Sequence, residues 1–87
     1  MTAFIPDPSI EPALERGPRG IQSVEVGGQL LIALAHHGRP LALKDLARQA
    51  EMPPAKAHPY LVSFIKLGLV EQEAGSGRYG LGPLALQ

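Results

Sequence analysis

The sequence contains no cysteine and no tryptophan, and its formal net charge is zero. Without cysteine there is no disulfide framework and none of the usual thiolate zinc sites, which fits a reducing, cytoplasmic setting. The zero net charge argues, taken alone, against a nucleic-acid binder. No apolar run approaches the roughly 20 residues needed to span a bilayer, and the N-terminus is acidic and Pro-rich where a secretory signal is basic, then apolar. The expectation is a soluble protein with no membrane attachment.

Signals for catalysis are missing as well. There is no Gly-rich phosphate loop after a strand, no nucleophile with an evident base, and no carboxylate pair placed for acid–base work. His36, His37 and His58 do not make a metal centre on paper, because adjacent helical histidines point about 100° apart and no carboxylate or thiol completes a ligand spacing. Neither an enzyme nor a bound cofactor is expected.

What is present is a small domain. The chain has 87 residues, and its first part looks unlike the rest: residues 1–20 hold Pro6, Pro8, Pro12 and Pro18 with few bulky apolar residues, the composition of a disordered arm. Pro18-Arg19-Gly20 is either part of that flexible tail or a basic arm for a minor groove. Charge also divides unevenly: from Gly20 to Gln87 six basic residues stand against five acidic ones. A domain at that balance binds DNA only if its charges are sorted onto one face, and two copies would double the phosphate attraction.

The spacing predicts a first helix over Val24 to His37, capped by Ser23, with Val24, Leu31, Leu34 and Ala35 on its apolar face. Gly27 and Gly28 weaken it by about 1 kcal/mol each, so either another helix approaches closely there or the first turn is loose. Gly38-Arg39-Pro40 ends it. Leu41-Ala42-Leu43 is a stub of strand leading into a second helix over Leu43 to Gln49, with Leu43, Leu46, Ala47 and Ala50 at helical spacing. After the Glu51-Met52-Pro53 turn a third helix runs from Pro54 to near Gly68, with Ala57, Leu61, Phe64 and Ile65 on one side. Residues 69–73 and 78–81 are two strands flanking the loop Ala74-Gly75-Ser76-Gly77.

Three helices followed by a hairpin is the order of a winged helix-turn-helix, mainly α with a small β-hairpin, over residues 21–82. Residues 83–87 begin an apolar helical pattern, read as the start of a linker helix to a C-terminal effector domain outside this chain.

These residues resemble the IclR-type bacterial transcription regulators. Their N-terminal domains carry a serine-led helix with a leucine pair, a motif like LSLxELAxxTGLPKSTAHRLLxTLxxxGYV, and a wing ending in a Y-R-L-G-like strand. The corresponding text here is Ser23-Val24 with Leu30-Leu31, then LALKDLARQAEMPPAKAHPYLVSFIKLGLV, then Gly77-Arg78-Tyr79-Gly80-Leu81-Gly82. The resemblance implies operator recognition on double-stranded DNA by a homodimer, with the third helix in the major groove and the wing on the backbone or in the adjacent minor groove. It also implies a small organic effector, bound by the C-terminal domain. Ala57 and His58 keep the family pattern, but Pro54 stands for a usual lysine, Ala55 for a serine, Lys56 for a threonine and Pro59 for an arginine. Gly28 replaces a usual core leucine, Val26 an arginine, and Gly80 the wing-strand arginine.

If Ala57, Leu61 and Phe64 face the core, Ala55, Pro59 and Lys66 fall near the opposite side, with Lys56 and Ser63 on one flank and His58 and Val62 on the other. Lys56 is then the leading base-edge or phosphate contact, though it lacks arginine's bidentate fork. Lys44, Ser76 and Arg78 are phosphate contacts, Arg78 having a salt bridge to Glu71 or Glu73 as its alternative. Tyr60 either stacks on the sugar–phosphate edge or packs against the wing. Arg39 and Arg48 are read as solvated. Pro59 lacks the N–H that would bond the Ala55 carbonyl, a loss of about 3 kcal/mol inside a helix. Either the helix continues from Pro54 through it, kinked, or it restarts with Pro59 at its first position. Operator affinity should be lower than with arginine there. A winged helix used for dimerisation or protein contact, with little DNA binding, is the other function these residues allow.

Overall fold

The computed structural model describes residues 18–86; the arm expected over residues 1–20 lies outside it up to residue 17, as does Gln87. Five elements follow in order: α1 (Gln22–His37), α2 (Leu43–Gln49), α3 (Pro54–Leu67), β1 (Val70–Gln72) and β2 (Tyr79–Leu81). The strands pair antiparallel with Val70 opposite Leu81 and Gln72 opposite Tyr79. This is the winged helix-turn-helix expected from the order of elements.

Each helix stops where its sequence supplies a left-handed residue. At the end of α1, Gly38 takes φ 78° and donates its N–H to the Leu34 carbonyl, with Pro40 just beyond. At the end of α3, Gly68 takes φ 83°, its N–H bonding Ile65 O while that of Leu69 bonds Phe64 O, the paired pattern of a Schellman motif. The end of α2 has the same two bonds, Glu51 N–H to Arg48 O and Met52 N–H to Ala47 O. There the left-handed position is filled by Glu51, at φ 60°, instead of by glycine.

The core is built from Leu30, Ala33 and Leu34 of α1, Leu41, Leu46 and Ala47 around α2, Ala57 and Leu61 of α3, Val70 of β1 and Tyr79 of β2. Tyr79 ties the wing to the helices. Its N–H and C=O both bond the backbone of Leu41 at 2.8 Å, so the strand stub at Leu41 lies beside β2 as a bridge.

Several local expectations are corrected. The helix begins at Gln22, because the Glu25 N–H already takes the carbonyl of Ile21; Ile21 is thus the cap residue, and its hydrocarbon side chain makes no cap bond. Ser23 therefore lies inside the first turn. The buried face of α1 is Gly27, Leu30, Ala33 and Leu34, while Val24 is 68% exposed and Ala35 also faces out. The cause is Gly27, which gives no hydrophobic signal yet sits at the helix crossing: a Cβ built on it would stand 2.8 Å from Tyr60 Cδ1 and 2.9 Å from Phe64 Cζ. Gly28 meets open space. Thus the first glycine serves close approach and the second does not. On α3, Ile65 turns outward instead of joining Ala57 and Leu61.

Candidate nucleic-acid interface

The second and third helices form the helix-turn-helix, and the anchoring of α3 decides which of its side chains are presented. Pro54 opens the helix, where its missing N–H is not needed, and the Pro53 carbonyl receives the N–H groups of Lys56 and Ala57. Ala57 and Leu61 are completely buried. They stand on either side of Pro59, so the core holds the helix in place before and after the residue that weakens it. The helix accordingly runs through Pro59 without restarting. The Ala55 carbonyl, deprived of its usual donor four residues on, belongs to an exposed residue where water can reach it.

With that register, Pro54, Ala55, Lys56, His58, Pro59 and Ser63 are all exposed on one helix. Tyr60 is the exception among the candidates on α3. It is half-buried, its ring set against Gly27 of α1 where packing against the wing was one expectation.

Lys44 is exposed in the first turn of α2. In the wing, the Ser76 hydroxyl donates to Glu73 Oε1 at 2.6 Å and accepts from the Arg78 N–H at 3.2 Å. Gln72 Nε2 donates to Gly77 O at 2.9 Å, and Gly77 turns the chain at φ 74°. Ser76 thus fastens the turn on which Arg78 is mounted.

Among the described residues Arg78 forms no ion pair, with Glu71, Glu73 or any other carboxylate. It instead borders a shallow depression of about 360 Å³ together with His37, Asp45, Arg48 and Gln49. Arg48, read as solvated, pairs with Asp45 at 2.6 Å across one helical turn while staying 70% exposed. An exposed pair of this kind contributes at most about 1 kcal/mol and leaves the guanidinium free to meet other anions. Placing Arg48 and Gln49 beside Arg78 requires the tertiary fold. The separation of α2 from the wing in sequence hides that neighbourhood.

The arrangement offers an exposed helix face with a lysine in its first turn, a hydrogen-bonded hairpin carrying an arginine with no ion pair among the described residues, and a lysine in the first turn of α2. No helix among the described residues is long and apolar enough to cross a membrane. Comparison with known proteins agrees with this geometry. Residues 23–74 match the family model of the IclR helix-turn-helix domain. The glycerol operon regulatory protein of Streptomyces griseus is 44% identical over 64 residues, covering 74% of this chain and 25% of that protein. Its counterpart from Streptomyces coelicolor is 41% identical over the same length and shares. The crystal structure of Pseudomonas aeruginosa HmgR superposes with a TM-score of 0.72 at 39% identity, over 76% of this chain and 27% of that one. The chain therefore spans about a quarter of the length of the relatives it matches.

Proposed function

The chain belongs to the IclR helix-turn-helix family and is a DNA-binding domain of a transcription regulator, and from that premise we propose that it recognises an operator with α3 in the major groove. Lys56 meets a base edge or phosphate, with Ala55, His58, Pro59 and Ser63 along the same groove. Arg78 contacts the backbone beside the wing, and Lys44 does so at the first turn of α2. Ser76 supports Arg78 through the turn, and Pro54 and Tyr60 set the start and the tilt of α3. Two copies bind together, since one domain carries too few cations for a strong phosphate attraction. The protein works in the cytoplasm, by binding and not by catalysis, and a small organic effector acts on it through a C-terminal domain outside this chain.

The observation that carries this reading is the register of α3. Complete burial of Ala57 and Leu61 turns the entire opposite face, with Lys56, outward and leaves it uncovered among the described residues. An electrophoretic shift with DNA from upstream of the neighbouring genes tests it. A retarded complex that dissolves steeply as salt rises supports operator binding; absence of a complex at low salt removes it.

A further inference from the structure

The outer face of α3 carries no arginine, asparagine or glutamine. The planar, forked side chains that read guanine or adenine by paired hydrogen bonds are therefore missing from the helix that would enter the groove, which leaves Lys56 as its guanine-capable donor. In their place Ala55, Pro59 and Val62 follow at i, i+4 and i+7, a spacing that aligns them in one stripe. All three are exposed, and Lys66 closes the stripe at its far end. Lys56 and Ser63 run along one flank. The stripe is thus a row of small hydrocarbon groups bordered by hydrogen-bonding ones.

One base edge in the major groove matches such a row: the C5-methyl group of thymine. Alanine and proline suit it, because neither loses side-chain rotamer freedom when it is covered. Resting on the reading of α3 as the groove-entering helix, we propose that Ala55 and Pro59 recognise thymine through its methyl group. Four residues of helix rise about 6 Å, and bases succeed one another every 3.4 Å or so along a strand. The two thymines of a half-site accordingly lie about two base steps apart. This assigns Pro59, the residue at odds with helix propensity, a contact that a flexible side chain would make less rigidly.

The test begins by selecting binding sites from a randomised duplex pool with the 87-residue chain at low salt. Each thymine of the selected site is then replaced singly by deoxyuridine, which deletes only the methyl group. Two positions should lose about fourfold in affinity each, the worth of one buried methyl-sized group. In Pro59→Gly, a change that deletes the ring and replaces the residue least suited to a helix interior by one that costs less there and so does not threaten folding, the uracil penalty should vanish at one of the two positions and persist at the other. A selected site bound equally well with uracil throughout overturns the thymine assignment and leaves DNA binding standing. If no duplex is selected at all, the operator reading fails with it, as it would if α3 docked a protein instead.

Discussion

Gly27 of α1 packs against the ring of Tyr60 on α3, where an added Cβ would stand 2.8 Å from Tyr60 Cδ1. The contact sets how closely α3 approaches α1, and hence how far its outer face stands proud of the domain. Substituting Gly27→Ala should destabilise the fold by about 1–3 kcal/mol through overpacking, despite the better helix former. Gly28→Ala, with nothing within 4 Å of the new methyl, should instead stabilise it by about 1 kcal/mol. Urea denaturation of the pair reads both signs.

Glu51 holds the left-handed slot between α2 and α3 at φ 60°. A non-glycine residue there costs about 1–2 kcal/mol, partly offset in a Gly variant by greater freedom in the unfolded chain. Glu51→Gly is therefore expected to raise thermal stability, by about 1 kcal/mol at the transition. A fall in melting temperature would mean that the Glu51 side chain makes an interaction that outweighs its backbone strain.

Gly82 closes the wing against the end of α3. Its N–H bonds Leu69 O at 2.8 Å, and a Cβ on it would meet Gly68 O at 2.5 Å and Val70 N at 3.0 Å. These neighbours are backbone and cannot turn aside. Gly82→Ala should cost about 1–3 kcal/mol and speed amide exchange at Gly82 and at Leu84, whose N–H bonds Gly68 O. Unchanged protection at both amides would remove the close approach as the reason for glycine.

Pro59→Arg restores a helix donor and adds a charge to the exposed face. Stability should rise by up to about 3 kcal/mol. Overall DNA affinity at low salt should also rise, with the slope of log affinity against log salt steepening by about 0.9 for one added phosphate contact. Binding titrations at several salt concentrations separate these effects from any loss of thymine preference.

Much of this was legible in the sequence because the chain is punctuated. Gly38, Pro40, Pro53, Gly68 and the Gly75–Gly77 loop mark element ends by backbone rules that tertiary packing did not overturn, and α2 and α3 lie where their spacing put them. The face of α1 was not legible, since its central contact is a glycine and periodicity counts only apolar side chains. Pro59 left two local solutions open. Burial of Ala57 and Leu61 on both sides of it decided between them, and that is a property of the core. In the candidate interface, the exposed set on α3 followed from helical geometry once the core side was known. The inward turn of Tyr60 and the placing of Arg78 and Arg48 around one depression depend on helices and wing packing together.

The binding of the chain to duplex DNA as a function of salt, compared with that of Lys56→Gln and Arg78→Gln, bears most directly on the assignment of α3 and the wing to DNA. Each variant should bind more weakly, with a salt slope shallower by about 0.9 if its cation neutralises one phosphate. Slopes identical to that of the unaltered chain in both variants, or no binding to any duplex at low salt, would contradict it.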